Sequence, residues 1–95
     1  MKHELYNRAK SIVVKHTEVS EDMLLKSHRE EVVDARCLLV CALGRYGLTD
    51  TEIAELMELT RPCVCKLRMS FDDRRRKRMF SILWRQISNE LETEQ

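Results

Sequence analysis

The chain has 95 residues, 43% of them hydrophobic and 35% charged, with two Gly and one Pro. That length suits one domain spanning residues 1–95, and the mix of Leu, Lys, Arg and Glu with few turn-formers reads as globular and helical. Seventeen basic and 16 acidic residues leave a net charge of +1, which excludes a uniformly basic protein, so attraction to any polyanion has to be local.

The elements follow in chain order. Leu5, Ala9, Ile12, Val13 and His16 recur at helical spacing, so residues 3–16 are expected to form an amphipathic helix. Ser20 is a candidate cap for a short helix over Glu21 to Lys26, which has Met23, Leu24 and Leu25 to bury. Between Glu30 and Tyr46 apolar residues cover most of the helix circumference, as expected of a central, many-sided buried helix. Gly47 supplies the left-handed residue that ends it. Thr49 and Glu52 then form a capping-box pair. They open a short helix carrying Ile53, Ala54, Leu56 and Met57. A tight connection at Glu58 and Leu59 follows, and Thr60 caps the next helix, with Pro62 in its first turn. The last helix is expected from about Ser70–Asp73 to Glu92, with Phe80, Leu83, Trp84, Ile87 and Leu91 on one stripe.

The segment from about Thr49 to Phe71 fits a helix-turn-helix, two short helices crossing steeply over a three- to four-residue turn. Ala54 provides the small residue at the crossing. Ile53, Met57, Leu59, Val64 and Leu67 provide the apolar positions around it. Glu58 stands where Gly is usual, so left-handed strain is expected there. The fold class is therefore all-α, a five- or six-helix bundle with a core centred on Leu39, Leu43, Ile53, Leu56, Val64, Leu67 and Trp84.

The second helix of such a motif places its N-terminal residues against base edges in the major groove. Arg61, Pro62, Cys65 and Lys66 are the candidate base-contacting residues, with Arg61 suited to guanine O6 and N7. Candidate phosphate contacts are Thr60, Arg29, Arg68, Arg74, Arg75, Arg76, Lys77 and Arg78. The stretch from Arg61 to Arg85 holds nine cations against only Asp72 and Asp73. A block of five cations in the first turns of a helix opposes the helix dipole, a cost that a polyanionic partner would offset.

From Glu18 to Arg68 the chain resembles the C-terminal DNA-binding domain of the bacterial replication initiator DnaA, in the Trp-repressor-like helix-turn-helix group. The resemblance rests on Val32-Val33-Asp34-Ala35-Arg36 leading into an apolar helix and on Gly47-Leu48-Thr49-Asp50-Thr51-Glu52-Ile53-Ala54-Glu55-Leu56. It implies a stand-alone relative that binds double-stranded DNA and regulates transcription or replication. Where that family opens its recognition helix with Asp-His-Thr-Thr-Val, this chain has Thr60-Arg61-Pro62-Cys63-Val64, keeping only the Val. Where the family has a basic loop, this chain reads Lys26-Ser27-His28-Arg29-Glu30-Glu31. A different DNA sequence from the family's is therefore implied. No Gly-rich phosphate loop of an initiator ATPase is present.

The alternative is a protein-interaction module that keeps the fold and has lost DNA. His3, His16 and His28 belong to no acid, base and nucleophile constellation, so no catalysis is expected. The cysteines are spaced C-x3-C (Cys37, Cys41) and C-x-C (Cys63, Cys65), which does not suit zinc, and no metal or cofactor is expected. Cys37 and Cys41 are expected to be buried and Cys65 exposed. With no leader and no bilayer-length apolar run, the expected location is cytoplasmic, without a membrane partner. A homo-oligomer is left open.

Overall fold

The computed structural model describes residues 1–93, all of whose regular structure is helical. Seven helices follow one another: α1 (Lys2–Thr17), α2 (Glu21–Leu24), α3 (Glu30–Arg45), α4 (Asp50–Met57), α5 (Arg61–Met69), α6 (Phe71–Arg74) and α7 (Arg78–Thr93). Among the described residues no helix is long and apolar enough to cross a membrane.

α3 is the post on which the others lean, with α1, α2, α4, α5, α6 and α7 all packed against it. Its sequence dictates this role. Ala35, Cys37, Leu38, Leu39, Val40, Ala42 and Leu43 point around the whole circumference and are fully buried. Each such burial contributes roughly 1.5–3 kcal/mol for a Leu-sized side chain. α1 lies beside α7, where Glu90 accepts from His16 Nε2 at 2.7 Å and from Lys15 Nζ at 3.1 Å.

The caps form as local chemistry demands. Ser20 Oγ accepts from the Met23 amide, and Thr49 and Glu52 satisfy each other's backbone N–H groups in a complete capping box. Gly47 takes φ +86°, ending α3. Glu58 takes φ 55°, the left-handed conformation with a side chain attached. There the Leu59 amide reaches back to the Ala54 carbonyl at 2.9 Å, closing α4 so that the chain turns at once into α5.

Several expectations change. The count is seven helices, not five or six, because the expected last helix is two. After α6 the Arg76 and Lys77 amides bond three residues back, to the Asp73 and Arg74 carbonyls, and α7 starts only at Arg78. This tightened turn also captures the Ser81 hydroxyl, which donates to the Arg75 carbonyl. The cation block therefore does not lie in the first turns of one helix and does not oppose its dipole. Arg74 closes one short helix, where a cation is favoured, and only Arg78 opens the next. α2 ends at Leu24 rather than Lys26. Leu39, Leu43, Ile53, Val64 and Leu67 are core, but Leu56 and Trp84 are half-buried at its edge. Tyr6, rather than Leu5, is the buried residue at the start of α1. Cys37 is buried, whereas Cys41 and Cys65 are both half-buried.

Candidate nucleic-acid interface

α4 and α5 are held together at both ends. Between them Ala54, 6% exposed, packs in the same core as fully buried Ile53, Met57 and Val64. At the far end Arg68 of α5 grips Asp50 of α4 with two bonds, Nε to Oδ1 at 3.0 Å and Nη2 to Oδ2 at 2.9 Å. That hydrogen-bonded guanidinium holds the Asp50 carboxyl below its usual range.

The start of α5 is built from three backbone facts. Thr60 is extended, its Oγ1 accepts from the Cys63 amide at 3.3 Å, and Pro62 has no N–H to satisfy. The Thr60 hydroxyl proton remains free to donate outward. Arg61, Pro62, Lys66 and Met69 are exposed. Among the described residues neither Arg61 nor Lys66 makes an ion pair or side-chain hydrogen bond.

The segment between α2 and α3 is tied to α3 by Arg36, a residue singled out only as part of the family resemblance. Arg36 is 8% exposed, and it donates through Nε to the Leu24 carbonyl at 2.8 Å and through Nη2 to the Ser27 carbonyl at 2.7 Å. A charge inside an apolar helix was the available signal, because a buried guanidinium must find acceptors. The result is a cleft of about 430 Å³ shared by His28, Arg36, Thr60, Pro62, Cys63 and Lys66. A second concavity of about 260 Å³ lies among Arg61, Pro62 and Cys65. Pro62 lines both, so the start of α5 is a ridge with a hollow on either flank. Arg29 follows His28 at the end of that segment, exposed.

The cation block does not join this ridge as a unit. Arg74 Nη1 donates to Asp34 at 2.7 Å and Glu30 at 3.2 Å, and its Nε bonds Ser70 Oγ at 2.9 Å. Lys77 Nζ sits 2.7 Å from Asp34 Oδ2 and 2.9 Å from Glu30 Oε1. The pairing with Lys77, and then with Arg74, holds the Glu30 carboxyl below its usual range. Arg75 lies 5.7 Å from the Phe71 ring centroid. Arg76 has only a long contact of 3.8 Å to Asp73, and Arg78 has no partner among the described residues. Of the expected phosphate contacts, Arg68, Arg74 and Lys77 are thus committed to carboxylates of their own chain. Arg29, Thr60, Arg76 and Arg78 are open.

The thiols take separate places. Cys37 donates to the Leu67 carbonyl at 3.1 Å, tying α3 to α5. Cys41, hydrogen-bonded to Cys37 and partly buried, is held protonated far above the usual thiol range. Among the described residues no three His, Cys, Asp or Glu side chains gather as a metal-binding group.

The class these observations define is a small all-helical protein with one exposed, partly cationic helix ridge. Beyond that class, scans against family models, curated proteins and solved structures returned no match.

Proposed function

We propose that the chain binds double-stranded DNA through a helix-turn-helix formed by α4 and α5, with the start of α5 entering the major groove. The observation that carries this reading is the ridge: Arg61 and Lys66 are exposed and outside any ion pair, whereas Arg68, Arg74 and Lys77 nearby are each held by a carboxylate. Bringing an unpaired guanidinium to a guanine edge breaks no existing ion pair, so only its desolvation offsets the contact energy. Arg61 is the base reader, with Pro62 and Cys65 giving close approach and Lys66 reaching the backbone. Thr60, Arg29, Arg76 and Arg78 hold phosphates, which carry no sequence information. Arg68, Arg74 and Lys77 instead keep the helices in place. Regulation of transcription or replication is the role consistent with this binding.

A second reading has its own observation. Met69 is 72% exposed at the end of α5, and its sulfur lies 3.7 Å from Cys65 Sγ, making an apolar strip on the same helix. A protein partner would use that strip and leave Arg61 as rim.

Binding to random-sequence duplex DNA, titrated with salt, separates the two. The DNA reading requires affinity that falls steeply with salt, in proportion to the phosphates engaged. Flat or absent binding transfers the ridge to a protein partner.

A further inference from the structure

A different face carries a second concentration of unsatisfied chemistry. The break between α6 and α7 leaves a cleft of about 430 Å³ bounded by the end of α3, the 75–77 turn and α7. Three guanidiniums line it, from Arg45, Arg75 and Arg85, and no carboxylate is among the lining side chains. Arg85 is exposed and has no partner among the described residues. Arg75 has a long contact of 3.8 Å to Asp72 and lies 5.7 Å from the Phe71 ring centroid. Arg45 is held at 2.6 Å by Glu92, itself 60% exposed at the rim and so free to swing aside.

The wall between these cations is α7. Trp84, Arg85, Ser88 and Asn89 fall on one face at spacings of one, three and four residues. Trp84 is half-buried, its ring braced edge-on by Phe71 at 5.1 Å, with Phe71 in turn braced by Phe80 at 5.7 Å. A rigid indole with an uncovered portion is a surface for a planar ring. Ser88 is 9% exposed, and its Oγ has no hydrogen-bond partner. A buried hydroxyl left unsatisfied costs free energy that a ligand acceptor or donor recovers. Asn89 adds an exposed amide, able both to donate and to accept.

Like charges are not gathered around an aromatic ring without cost, and no carboxylate among the described residues pairs with Arg85. We propose that this cleft binds a phosphorylated nucleoside. The phosphate lies between the Arg85 and Arg75 guanidiniums, with Arg45 released from Glu92 to join them, and the base lies against Trp84. Asn89 and Ser88 meet the polar edge of the sugar or base. The volume is within the range of small-molecule sites. The site is separate from the α5 ridge, and neither proposal requires the other.

The protein's one tryptophan is the reporter. Indole fluorescence is followed while AMP, and separately inorganic phosphate, is added to the full chain without DNA. The expected result is a saturable change with AMP, and binding of phosphate alone weaker by about tenfold or more because the ring contact is missing. In Arg85→Gln the AMP affinity should fall by about tenfold, the loss of one charge-assisted contact, with the melting temperature unchanged. Asn89→Ala should weaken AMP while leaving phosphate binding as it was. Three outcomes overturn the proposal: no saturable change with AMP up to about 5 mM, equal affinity for AMP and phosphate, or an unchanged AMP affinity in Arg85→Gln.

Discussion

Two neighbouring stretches of this protein carry cations in quite different circumstances. On α5, Arg61 and Lys66 stand exposed and unpaired. Just beyond, Arg74 and Lys77 belong to a denser cluster but are closed on Glu30 and Asp34 of α3. The second stretch carries more charge, but two of its five cations are closed on carboxylates, whereas Arg61 and Lys66 are not. A guanidinium already hydrogen-bonded to a carboxylate must give up that bond before it meets a phosphate, so its net contribution to binding is small. Charge density along a chain therefore ranks binding candidates poorly, and the ranking follows from which cations have carboxylates within reach.

This contrast can be broken first through packing. α4 packs against α5, and Ala54, 6% exposed, shares their buried core with Ile53, Met57 and Val64. Ala54→Leu adds volume with no space to receive it and should destabilise the fold by about 1–3 kcal/mol. Thermal melting checks this, and a parent-like melting curve would remove Ala54 from the crossing.

The second test converts one stretch into the other. Asp34 is the half-buried carboxylate that both Arg74 and Lys77 share. Asp34→Asn should lower stability by about 1–2 kcal/mol, less than a fully buried pair because the site is partly solvated. The same change should modestly strengthen DNA binding, since it leaves Arg74 and Lys77 with Glu30 as their one shared carboxylate. Weaker DNA binding in a folded Asp34→Asn protein would mean that the acidic pair supports the interface rather than silencing a neighbour of it.

A smaller effect is expected at the turn that aims α5. Glu58 adopts φ 55°, where a side chain is strained and Gly is not. Glu58→Gly should stabilise the protein by about 0.5–1 kcal/mol, reduced by the greater freedom Gly brings to the unfolded chain. A loss of stability on urea unfolding would show that the Glu58 side chain contributes contacts that offset its strain.

Acid should loosen the same region in a defined window. The Lys2 ammonium at 2.5 Å and the Thr49 amide pull the Glu52 carboxyl down to about 2. A depressed carboxylate pKa gives stability that is present above its unfolded value and is lost as pH falls through its folded one. The Glu52 contribution is therefore lost between about pH 4.5 and 2. Glu52→Gln should flatten the acid limb of the stability profile there.

Local chemistry was what the sequence showed most directly. Thr49 with Glu52, Thr60 with Pro62, and Gly47 each act within four residues, and each stands where its side chain or backbone requires. The circumferential apolar pattern of α3 likewise announced the central post. What was hidden depends on distant partners. Nothing in Arg74-Arg75-Arg76-Lys77-Arg78 breaks a helix by propensity. The break comes with cations reaching back to Glu30 and Asp34, 40 or more positions away. The buried role of Arg36 required knowing that the carbonyls of Leu24 and Ser27 lie beside it. The availability of Arg61, like the engagement of Arg68, followed from where Asp50 sits, which spacing alone does not give. The cleft beside Trp84 gathers Arg45, Arg75 and Arg85 from three parts of the chain, which spacing alone does not bring together.

The central claim is that the free cations Arg61 and Lys66 of α5, not the carboxylate-paired Arg74 and Lys77 after it, hold DNA. The most direct measurement is the salt dependence of duplex affinity in two paired variants, Arg61→Ala with Lys66→Ala, and Arg74→Gln with Lys77→Gln, each first shown to be folded by its circular dichroism. Loss of a DNA-contacting cation lowers the salt slope by about one unit per phosphate contact. The account predicts a weaker affinity and a shallower slope in the α5 pair, together with loss of roughly 1–3 kcal/mol of preference between selected and scrambled duplexes at Arg61. It predicts an unchanged slope in the Arg74 and Lys77 pair. A slope that falls only in the second pair, or a parent protein with no salt-dependent binding at all, contradicts it.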